Sequence, residues 1–140
     1  MRNPYDQIAT LTRIAVEEHE ERGKKFRRPI DSEYLIEDAI QRLFNISMQS
    51  ALDIINTFNL DVLEVHLPNL SANPREGIGN WCKFFEVECY DWYVEMCIAY
   101  LYSKTHQTRH TLVWTPRLKQ MVADNIKRFP WYKGYTFDSD

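Results

Sequence analysis

The chain has 140 residues, 44% hydrophobic and 26% charged, with a formal net charge of −3. That composition fits one soluble globular domain and excludes disordered, collagenous and coiled-coil chains. With 4 Gly and 6 Pro against 4 Trp, 8 Tyr and 7 Phe, it also disfavours a turn-rich all-β fold and predicts some rings at the surface.

The N-terminal residues lack the apolar run of a secretion signal, and no stretch reaches the roughly 20 apolar residues of a membrane span. A cytoplasmic protein is expected, with no membrane partner and with Cys82, Cys89 and Cys97 as reduced, buried thiols in one helix. The charge is segregated. Residues 45–100 carry Arg75 and Lys83 against 8 acids, whereas residues 101–140 carry 7 bases against 3 acids. A basic knot, Arg22 to Arg28, stands near the start.

In chain order, Asn3-Pro4 is a cap-plus-proline helix start, and Ile8, Leu11, Ile14 and Ala15 form a helical stripe with Gly23 as its stop. A second helix opens at Asp31 or Ser32 and carries Leu35, Ile36, Ala39, Ile40, Leu43 and Phe44 at helical spacing. A third begins near Ser47. Residues 60–67 suit a strand or a helix, and 68–80 read as the clearest loop. A long helix is expected from Trp81 to Lys104, then irregular chain to Thr115-Pro116, which starts a last helix ending at Pro130. The sum is a mainly α protein: a single compact domain of five or six helices, divided into a tri-helical half (1–58), a connecting region (59–80) and a C-terminal part (81–140).

Ile40 to Ile55 carries the sharpest motif: an amphipathic helix end, Asn45 where positive φ is tolerated, Ile46 to pin a turn, Ser47 to cap a second helix, and Ala51, Ile54 and Ile55 to pack it back. Residues 32–58 thereby resemble a helix-turn-helix, departing from it at Gln41, where a small residue is usual. The resemblance implies a probe surface of Ser47, Met48, Gln49, Leu52 and Asn56, and a nucleic-acid partner or a protein that handles nucleic acid. No Lys or Arg lies between Arg42 and Arg75, so phosphate neutralisation is assigned to Lys24, Lys25, Arg27, Arg28, Arg117, Lys119, Lys127, Arg128 and Lys133. Trp131 and Tyr132 are expected to stack on bases. The run Trp131 to Tyr135 is similar to the aromatic tail of phage pyrimidine-dimer glycosylases, but position 2 is Arg2, not the threonine nucleophile of that family, and the activity is not carried over.

Two alternatives stand beside this reading. One is a protein–protein inhibitor or adaptor, phage-encoded, whose acidic middle and exposed rings grip a basic host protein. The other takes Glu18 with Glu21 and Glu88 with Asp91 as paired carboxylates for Mg²⁺, which resembles the all-α nucleotide pyrophosphatases. His106 and His110 have no third ligand in the sequence pattern and read as loop histidines. The favoured reading requires no cofactor, and enzymatic activity is not expected.

Overall fold

The computed structural model describes residues 2–21, 33–101 and 107–139, with the backbone alone at 19–21. Among these the fold is all α, as the periodicity predicts: α1 (Pro4–Glu21), α2 (Glu33–Gln41), α3 (Gln49–Phe58), α4 (Leu67–Ala72), α5 (Pro74–Phe84), α6 (Asp91–Tyr100) and α7 (Pro116–Ile126). A π-helical segment, Arg42–Met48, joins α2 to α3, and short 3-10 turns lie at Thr108–Thr111 and Pro130–Tyr132. No described helix is long and apolar enough to cross a membrane. Among the described residues contacts gather into two units: a discontinuous one, residues 3–21, 33–60 and 107–139, and an inserted one, residues 61–101, with which Arg2 is grouped. The terminal segment therefore belongs with the N-terminal helices, not with Trp81–Tyr100 as the expected three-part division has it.

In the discontinuous unit both cap-plus-proline starts form. Asn3 Oδ1 accepts the Tyr5 backbone N–H at 3.0 Å, and Thr115 Oγ1 accepts that of Leu118 at 3.4 Å. The stripes of α1 (Ile8, Ala9, Val16), α2 (Leu35, Ile36, Ala39, Ile40) and α7 (Leu118, Val122) are buried together with Leu43, Phe44, Phe129 and Tyr132. A buried ion pair crosses this core: Asp6 Oδ2 lies 2.7 Å from Arg109 Nη1, while Asp6 Oδ1 accepts the Arg109 backbone N–H at 2.8 Å. Asn3 Nδ2 donates to the carbonyls of Thr136 and Ser139 at 2.9 and 2.8 Å, tying the start of α1 to the tail.

The expected turn at Asn45 is corrected. Gln41 and Gln49 flank the π segment with right-handed backbone, and the Gln49 N–H reaches back to the Phe44 carbonyl. Among the described residues positive φ falls at Asn59, Glu86 and Gly134, and Asn59 is where α3 ends. An extra residue is thus absorbed inside a continuing helix instead of breaking it. Ile46, expected to pin the turn, is exposed, and α3 buries no residue.

Residues 68–80 are helical, not loop. Pro68 and Pro74 occupy first-turn positions of α4 and α5, where the missing N–H costs nothing. The long helix expected over 81–104 breaks between Phe84 and Asp91, with Glu86 at φ 53°. That reversal brings Cys89 back to Cys82, and the two form a disulfide with Cα atoms 5.5 Å apart. The expectation of three reduced thiols is corrected, and with it goes the cysteine argument for a cytosolic setting. Ile78, Cys82 and Val94 form the small core of this unit, with Cys89, Cys97, Ile98 and Leu101 packed on it.

Two outcomes are expected. Asp6→Ala should cost about 3–5 kcal/mol in urea denaturation, because it strands a buried guanidinium, and adding Arg109→Met should recover part of the loss. Dithiothreitol should destabilise the inserted unit by about 2–3 kcal/mol, the chain-entropy value for so short a loop, with no effect on a Cys82→Ala/Cys89→Ala variant.

Candidate functional site

The predicted probe surface is only partly presented. Ser47 and Asn56 are exposed, while Met48, Gln49 and Leu52 are half-buried. The Met48 sulfur accepts a hydrogen bond from Tyr132 Oη at 3.4 Å, and Gln49 donates to Asp53 Oδ1 at 2.9 Å. Gln49 Oε1 accepts from Arg128 Nη2 at 3.0 Å, so one cation of the terminal third does lie beside it.

Most described cations of the expected set are already engaged. Arg117 reaches Glu37 at 2.7 Å and Glu33 at 3.6 Å, and its hydrogen bond holds the Glu37 carboxyl below its ordinary pKa. Lys127 pairs with Asp124 at 2.7 Å and likewise lowers its pKa. The Arg128 guanidinium donates to Asn45 and Asn125, each at 2.7 Å, as well as to Gln49. Lys119 Nζ sits 3.5 Å from the centre of the Phe137 ring. Lys133 is exposed. Lys24, Lys25, Arg27 and Arg28 lie outside the described residues, as does His106.

The aromatic tail docks on its own unit. Tyr132 has 0% exposure and stacks edge-on to Phe44, which also stacks on Phe129. Tyr5 lies edge-on to both Trp114 and Phe137 with centroids 5.2 Å apart. Trp131 is half-buried beside Phe129. The role assigned to Tyr132 as a base-stacking ring is therefore corrected: its faces are spent inside the protein.

The carboxylate pairs do not assemble among the described residues. Glu18 is exposed on α1, the Glu21 side chain lies outside the description, and Glu88 precedes α6 instead of sharing a helix turn with Asp91. The two pairs fall in different units, and no cluster of three metal-binding side chains occurs among the described residues.

The inserted unit presents what the sequence reading underweighted. Helix α6 is apolar nearly all round. Val94, Cys97, Ile98 and Leu101 take the inward stripe, which leaves Trp92, Tyr93, Met96 and Tyr100 on the opposite side. Trp92 is 65% exposed and Tyr100 85%, and Phe84, Phe85, Val87 and Tyr90 add to the uncovered apolar area. The rings support one another: Tyr90 stacks on Trp92, which meets Tyr93 edge-on. Glu86, Glu88, Asp91 and Glu95 are interspersed, and Glu88 holds the Tyr90 hydroxyl, raising its pKa. Arg75 is bound to Asp91 and Glu95. The sequence signal was the lack of amphipathic alternation over 91–100, together with eight acids and two bases over 45–100.

Comparison with protein-family models, with curated proteins and with solved structures finds no match.

Burial pushes the Tyr132 phenol up to about 12 and raises Tyr5 and Tyr135 in the same direction. These groups hold their protons more tightly folded than unfolded. Stability is therefore complete below the ordinary phenol value of 10.0 and falls as pH climbs through about 12. Denaturation midpoints between pH 9 and 12 should show this fall, and Tyr132→Phe should make it shallower.

Proposed function

We propose that the protein is a binding module that captures a basic surface of a partner protein on the outer stripe of α6. The observation that carries this reading is the helix itself. A helix apolar on nearly every side belongs in an interior, yet half of α6 faces water. Contiguous exposed rings of this kind mark interaction sites. Trp, Tyr and Met are the side chains that protein interfaces favour at their centres, with charges toward the rim.

The rim chooses the partner's sign. Glu86, Glu88, Asp91 and Glu95 border the rings, and the guanidinium nearest to them is already paired. Such a surface attracts Lys and Arg, and it repels phosphate, which counts against base stacking on the same rings. The nucleic-acid reading keeps one supporting contact, Arg128 at Gln49.

Capture from lysate should survive nuclease and weaken when salt rises from 50 to 200 mM. Trp92→Ala should lower affinity about 30-fold, as loss of a central aromatic does, and Glu88→Lys should lower it mainly through the on-rate. A salt-sensitive shift of DNA in a mobility assay, together with capture indifferent to Trp92→Ala, would instead favour the Arg128–Gln49 surface.

A further inference from the structure

Helix α5 has two working faces. At 100° per residue, Arg75, Ile78 and Cys82 fall on one side, where they meet α6. Asn73, Glu76, Gly77, Asn80 and Trp81 fall on the other and line a groove of about 340 Å³, closed by α4 and by residues 63–66. That volume is at the small end of ligand pockets, roughly 300–1,000 Å³. Its floor is close-packed: a Cβ on Gly77 would stand 2.5 Å from Leu70 Cδ1 and would have to displace the end of that side chain.

We propose that this groove binds the ammonium or guanidinium end of an organic cation. Two carboxylates, Glu64 and Glu76, belong to its lining, and no Lys or Arg does. The nearest base in sequence, Arg75, does not line this groove and is bound to Asp91 and Glu95. His66 Nε2 lies 3.6 Å from Glu64, which leaves Glu76 as the carboxylate with no protein partner among the described residues. The Trp81 indole supplies an aromatic wall whose face attracts a cation independently of the carboxylates. Around them the side chains of Asn69, Asn73 and Asn80 make no hydrogen bond to a described residue. These exposed amides offer carbonyl oxygens as acceptors, suited to the several N–H donors of an ammonium or guanidinium. Leu63, Val65 and Leu70 offer an apolar strip for the alkyl stem.

The source of the cation is either a free amine or a Lys or Arg side chain of a bound partner, and two probes separate them. Agmatine and N-acetyl-arginine amide are titrated into the oxidised 140-residue chain while the Trp81 indole and the three Asn side-chain amides are followed by NMR. Saturable shifts confined to these groups are expected, with n-butyramide, a shorter neutral probe, binding about tenfold more weakly or worse. Stronger binding of agmatine assigns the site to a free amine, and equal or stronger binding of the blocked arginine assigns it to a partner side chain. Glu64→Gln/Glu76→Gln should abolish the preference over butyramide, and Asn80→Lys, which tethers an ammonium in the groove, should block both cations. An equal response to butyramide, retained preference in the double variant, or no saturable shift at millimolar probe overturns the proposal. Because the α6 stripe is not part of this groove, loss of partner capture in Trp92→Ala leaves these titrations unchanged.

Discussion

The Asp6 carboxylate and the Arg109 guanidinium have 4% and 1% side-chain exposure, so neither can keep its charge cheaply without the other. Each comes from a segment that could not hold it alone: one from the first turn of α1, the other from a four-residue 3-10 turn. The carboxylate spends both oxygens on the same residue, one on its side chain and one on its backbone N–H, which fixes the turn's position along α1 as well as its distance. Thr108 adds a hydroxyl donor to the Asp6 carbonyl at 2.9 Å, and the Arg109 carbonyl in turn accepts the Trp114 indole N–H at 2.8 Å. Trp114 then meets Tyr5, and Tyr5 meets Phe137. The tail's place on the N-terminal helices therefore follows outward from one charge pair. Loop-closure entropy grows only logarithmically with loop length, so a contact of this strength tolerates a whole inserted unit between its two halves.

What the sequence makes legible is local. Caps with proline, helical stripes and the all-α class depend on residues a turn or two apart, and Asn3-Pro4, Thr115-Pro116 and the Leu35–Phe44 stripe form as read. Two of the misreadings share a cause, which is that one residue type serves two ends of a helix. Pro68 and Pro74 were legible as breakers or as first-turn residues, and only the packing of α4 on α5 decides for the latter. Asn45 tolerates a left-handed turn, but its amide is engaged by Gln41 and Arg128 inside a continuing π helix, while Asn59 takes the left-handed conformation. The Cys82–Cys89 pairing depends on a reversal at Glu86, a residue with no turn propensity to announce it. The buried pair of Asp6 and Arg109 was invisible for the plainest reason: 103 residues separate them.

Charge is used differently in the two units, and that difference bears on function more than the net value does. In the discontinuous unit most described cations of the terminal third are engaged, by Glu33, Glu37, Asp124, two asparagines, a glutamine and an aromatic ring. Exposed ion pairs of this kind add little stability; they offset the charge of Arg117 and Lys127 locally, while Arg128 and Lys119 meet only neutral groups among the described residues. In the inserted unit the acids outnumber the bases, and the few ion pairs it makes consume Arg75, its best donor. What remains there is negative charge beside uncovered rings.

The small core of the inserted unit explains how one short helix can serve two surfaces. Ile78, Cys82 and Val94 are too few to hold α5 and α6 by burial alone, since each contributes only about 1.5–3 kcal/mol against the entropy of ordering its neighbours. The disulfide and the Arg75 bridges add constraints at the two ends of the contact: Cys82 and Cys89 close the turn, while Arg75 holds the start of α5 to Asp91 and Glu95. With α5 fixed in rotation on α6, the α6 rings have to point away from the core. Asn73, Glu76, Asn80 and Trp81 are turned by the same rotation toward α4, where the Leu70 side chain lies against Gly77 in the groove. The orientation of α5 is thus the shared determinant of both faces.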